Sequence, residues 1–112
     1  MALYENLGEV AAYDNLIAGT ELPILTRYAT ASADLTRGTL VTVKSGKAAK
    51  ATAEAGENYG IIADDAKTNE KVEIYISGLF VRNTVEKATG IELSEAAEEA
   101  ARKDGIIFKD AV

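Results

Sequence analysis

The chain contains no cysteine, no histidine and no tryptophan, with one proline and two phenylalanines in 112 residues. Without cysteine there is neither a disulfide nor a thiolate nucleophile, and without histidine the commonest general base and zinc ligand are missing. Those two absences close most enzyme mechanisms, so no catalytic residue, cofactor or metal is expected. A serine with a lysine base, or a carboxylate pair, stays chemically open, but the flanking pattern of neither is present. Positive charge is scarce as well: 12 Lys and Arg against 18 Asp and Glu leave a net charge of −6. Nucleic-acid binding rests on clustered cations that neutralise phosphates, so no nucleic-acid partner is expected. No apolar run approaches the roughly 18 residues that span a bilayer. The N-terminus also lacks the basic region and apolar core of a signal peptide. No membrane partner is expected, and the host cytoplasm is the expected location before any assembly.

What is there fits one small domain with an aliphatic core, in which each fully buried Val, Leu or Ile contributes about 1.5–3 kcal/mol. Residues 1–26 differ from the rest because they carry Glu5, Glu9, Asp14 and Glu21 and no base. Leu3, Leu7, Val10 and Ile17 fall at spacings that suit one helical face, although Gly8 and Asp14 weaken the pattern. An arm that orders on a partner is the rival reading. Pro23 pushes Leu22 toward an extended conformation, and residues 23–29 are expected to run extended. The organisation is therefore an N-terminal arm, 1–26, and a β-rich body, 27–112.

In the body, Gly38 to Lys44 alternates as a half-buried strand, and Ser45-Gly46 closes a hairpin into Lys47 to Thr52. Lys44, Lys47 and Lys50 flank that turn, where a solvated hairpin tip is favoured over an anion site because no aromatic platform lies among them. A short strand at Tyr59 to Ala63 precedes the turn-forming residues Asp64, Asp65, Lys67, Thr68 and Asn69. The long strand from Lys71 to Arg82 follows, with Val72, Ile74 and Ile76 facing one way. Gly78 interrupts it, as a bulge or bend would. Ser94 caps a helix from Glu95 to Lys103 with acids first and bases last, and Asp104-Gly105 ends it. The glutamates from Glu92 to Glu99 need no metal to explain them, since no EF-hand spacing accompanies them. Ile106-Ile107-Phe108 forms a terminal strand.

Over residues 31–112 this order of features resembles the lambda-type bacteriophage head decoration proteins. The likeness lies in Gly60-Ile61-Ile62-Ala63-Asp64, the step Ser77-Gly78-Leu79-Phe80, the acidic helix Leu93 to Lys103 and the closing strand Gly105 to Val112. It implies an α+β fold: a small β-rich domain, with a mixed or barrel-like sheet, one short helix in the C-terminal half and an N-terminal arm. It also implies a homotrimer on the outer surface of the phage head that binds the major capsid protein through the arm. Leu3, Tyr4, Leu7, Val10, Tyr13, Leu16, Ile17, Pro23 and Ile24 are the candidate contacts. Their competing role is to fold back over the chain's own sheet. The alternative function is a small cytoplasmic binding or adaptor module with a sheet-face ligand site at Tyr28, Tyr59 and Tyr75. A hydrolase or isomerase using Ser77, or Asp64 and Asp65, stands third.

Overall fold

The computed structural model describes residues 16–19, 23–52 and 54–110. In chain order the strands are β1 (Ile17–Gly19), β2 (Leu25–Ala31), β3 (Leu40–Lys44), β4 (Lys47–Lys50), β5 (Tyr59–Ile62) and β6 (Lys71–Val81). Two helices, α1 (Arg82–Thr89) and α2 (Glu95–Lys103), lead to β7 (Ile106–Lys109). The first part of β6 pairs antiparallel with β2 on one side and β5 on the other. The β3–β4 hairpin joins those flanks, so β6, β2, β4, β3 and β5 close into a five-stranded barrel.

Gly78 is where β6 leaves the barrel. Beyond it the strand takes new neighbours, β1 antiparallel on one edge and β7 parallel on the other. The glycine has φ +142°, and a Cβ there would meet the Phe80 ring at 3.3 Å. Only glycine adopts such a backbone without strain. The interruption expected in mid-strand is thus the joint between a barrel and a second, three-stranded sheet.

Strand alternation builds two cores. Val72 and Ile74 point into the barrel with Ala29, Ala31, Val41, Val43 and Ile62. Leu40, Ile61 and Phe80 face the other way and meet Val85, Ala101, Ile106 and Phe108 from the helices and β7. Adjacent Leu40 and Val41 enter different cores, as a period of two requires.

The helix from Glu95 to Lys103 forms as the sequence indicates, with the Ser94 hydroxyl accepting the Ala97 N–H at 3.1 Å. The expectation of one helix is corrected by α1, which buries Val85 and Thr89 and ends at Gly90 in the left-handed region, φ 82°. The Thr89 hydroxyl donates to the Val85 carbonyl at 2.6 Å and accepts the Leu40 N–H at 2.8 Å, tying α1 to β3.

Two loops repeat one another across a local pseudo-two-fold. Leu35 and Ala66 exchange N–H to carbonyl bonds of 2.8 Å in both directions. The Asn69 N–H donates to the Ala31 carbonyl, and its counterpart Gly38 donates to the Ile62 carbonyl. The carboxylates follow the same rule: Asp65 accepts the Arg37 N–H at 2.8 Å, and Asp34 accepts the Thr68 N–H at 2.9 Å. Each loop is thereby capped by an aspartate of the other.

The expected junction between residues 26 and 27 falls inside β2. Leu16 is only 1 % exposed within the core shared by the helices, and β1 and β2 run along the same edge of β6. Burying Leu16 and pairing the β6 backbone hold this part of the expected arm in the body.

Candidate partner-binding surface

Of the candidate contacts, Leu3, Tyr4, Leu7, Val10 and Tyr13 lie outside the described residues. Leu16 is core, and Ile17 is half-buried opposite Phe80, so neither offers a free apolar face to a partner. Pro23 and Ile24 are exposed and lead directly into β2. Ser77 fixes them: its hydroxyl donates to the Pro23 carbonyl at 2.7 Å and accepts the Leu25 N–H at 3.2 Å. A register shift between Leu25 and Thr26 accompanies this side-chain bridge.

The exposed large apolar side chains of the described residues gather on that short stretch. Ile24 is 36 %, Leu25 56 % and Tyr28 60 % exposed. Their backbone is equally open. β4 pairs with β2 only at Thr30 and Ala31, so Leu25 to Ala29 have β6 on one side and no strand on the other among the described residues. The Thr30 N–H donates outward to the Gly46 carbonyl at 2.8 Å. Alternation along an antiparallel pair then directs the backbone groups of Tyr28 and Thr26 to the same, unoccupied side. An edge of this kind is a template for an added strand.

Sequence reasoning missed a charged feature beside the edge. Strand register places Lys71, Thr30, Lys47 and Lys44 in one row across β6, β2, β4 and β3, with all three lysines exposed. The Lys71 ammonium also lies 5.6 Å from the centre of the Tyr28 ring. The hairpin lysines were visible in the sequence, but Lys71 joins them only through pairings between distant segments.

The tyrosines of the adaptor reading do not share a surface. Tyr59 is 2 % exposed, and its hydroxyl accepts the Gly56 N–H at 2.6 Å. Tyr75 is half-buried, 5.6 Å from the Phe80 ring and beneath the Arg37 guanidinium. Only Tyr28 of the three is open. The third reading fares similarly in space, since the Ser77 hydroxyl is occupied by the Pro23 bridge and Asp65 by the Arg37 amide.

A cleft of ~330 Å³ lies on the pseudo-two-fold between Asp34 and Asp65. Bonds from the Thr68 N–H first, and from its hydroxyl second, hold the Asp34 carboxyl below its ordinary value of 3.8. These carboxylates are engaged in capping loops. A broader groove of ~670 Å³ along α2 is crossed by the Arg82 guanidinium, which pairs with Glu98 at 2.7 Å and Asp110 at 2.5 Å. No helix among the described residues is long and apolar enough to cross a membrane. No protein-family model matches the chain, and no curated protein matches it at a meaningful level.

Proposed function

We propose that this protein is a phage capsid decoration protein, a trimer on the outside of the expanded head that binds the major capsid protein and stabilises the shell. The observation that carries the proposal is the open edge of β2 with Ile24, Leu25 and Tyr28 beside it, held on a closed barrel by Ser77. A cement protein needs no reacting group. It needs an apolar, unpaired element whose stabilisation is completed by a partner, and a rigid body that presents it. Many weak copies acting together on one shell give high avidity from modest contacts. The order of features shared with head decoration proteins supports the same assignment.

In this reading the body sits at local three-fold positions, β2 and the segment before it meet the capsid protein, and the acidic residues 1–15 add contacts. Deleting residues 2–15 tests the added contacts without removing β1. Attachment to expanded heads is expected to weaken or vanish while the melting temperature changes little. Unchanged attachment would remove residues 2–15 from the mechanism. Deletion as far as residue 22 is a poorer test, because it removes Leu16 from the core.

A further inference from the structure

We propose that the capsid segment recognised by this protein is an acidic extended strand, which adds to β2 at Thr26 and Tyr28 and lays carboxylates along Lys44, Lys47 and Lys71. This deepens the decoration reading and rests on it. The geometry starts from β4, which runs parallel to β2 and begins pairing at Lys47 opposite Thr30. Before Thr30 the position next to β2 is empty among the described residues, so an added strand there lies in line with β4 and ends against the Ser45-Gly46 turn. Its main chain meets the outward backbone groups of Thr26 and Tyr28. Its side chains on the outer face meet Tyr28 and the lysine row.

Charge selects the occupant. Lys44 and Lys47 are direct cross-strand partners, an arrangement of like charges that weakens a sheet. The row continues to Lys71 through Thr30, and none of these lysines has an ion-pair partner among the described residues. They stand on a chain of net charge −6, against its overall sign. A second copy of β2 is a poor occupant, since the strand from Leu25 to Ala31 carries Arg27 and no acid to offer the row. An acidic strand satisfies the open edge and the uncompensated row together.

The test uses full-length protein and expanded, undecorated heads, with binding measured by co-sedimentation over a range of salt concentrations. Thr26→Pro removes an outward N–H at an edge position where proline is tolerated. Lys44→Gln/Lys47→Gln/Lys71→Gln removes the row and relieves its internal repulsion. The thermal transition of each variant is checked alongside. The expected result is folded variants that each bind about tenfold or more weakly at low salt, with the salt dependence of the wild type largely lost in the glutamine variant. Wild-type binding that persists unchanged in both variants would overturn the acidic-strand inference and leave the decoration reading standing. A folded glutamine variant that binds as tightly as wild type, even where Thr26→Pro fails to fold, would overturn it also. Wild-type protein that ignores the heads overturns both, and salt-sensitive self-association in its place would identify a second copy as the occupant.

Discussion

Gly78 and Gly46 both have positive φ, +142° and +77°, but a Cβ at Gly46 meets open space whereas one at Gly78 meets the Phe80 ring. Gly78→Ala should therefore cost about 2–3 kcal/mol in urea unfolding, and Gly46→Ala about 1 kcal/mol. Equal losses would mean that β6 bends for some reason other than the conformation of Gly78. Asp34 predicts a pH effect. Its carboxyl is held below 3.8 by Thr68, so its stabilising effect is complete above the unfolded value and is lost as pH falls through the lower folded value. Asp34→Asn should be less stable than wild type at neutral pH, with the difference closing below about pH 3.8 in acid-unfolding curves. A difference independent of pH would show that the bonds to Thr68 do not depend on ionisation. Gly78 was legible as an interruption because glycine in a run of β-formers has few other uses. The pairing of Asp34 with Thr68 was not, because each aspartate caps a loop distant in sequence.

Among the elements, β3, the β3–β4 hairpin, β5, β6, α2 and β7 were readable from alternation, turn residues and the Ser94 cap. α1 was not. It starts directly out of β6, Val81 provides no side-chain cap, and its buried face is only Val85 and Thr89. Gly90, in the left-handed region just past its end, was the available signal. Thr89→Val should leave the buried Leu40 N–H without its partner and cost about 1–3 kcal/mol; a neutral substitution would mean that α1 is not anchored through this bond. β1 escaped for a different reason. Helical spacing from Leu3 to Ile17 competed with a strand of three residues, and only pairing with the far half of β6 decides for the strand. Leu16→Ala, which hollows the core beneath β1, should cost about 2–5 kcal/mol. A loss below 1 kcal/mol would contradict the burial of that side chain. Pro23 and Ile24 were singled out from sequence and are exposed, whereas the lysine row beside them depended on register.

At the scale of the whole molecule, a closed barrel joined to a three-stranded sheet leaves the start of β2, among the described residues, paired on one side only. In the proposed reading, stability and binding are thereby separated. The two cores hold the body, and the exposed edge with its apolar and basic flanks is available to a partner. Replacing Ser77 with Ala tests that separation. It should free Pro23 to Leu25, seen as faster hydrogen exchange at Leu25, while global stability falls by only about 1 kcal/mol. Loss of the whole fold would show that the segment is integral to the body. The most direct measurement is co-sedimentation of the purified protein with expanded, undecorated heads, with bound copies counted per capsid subunit. Saturation near one copy per capsid subunit is the predicted result, and no binding by folded protein would contradict the assignment.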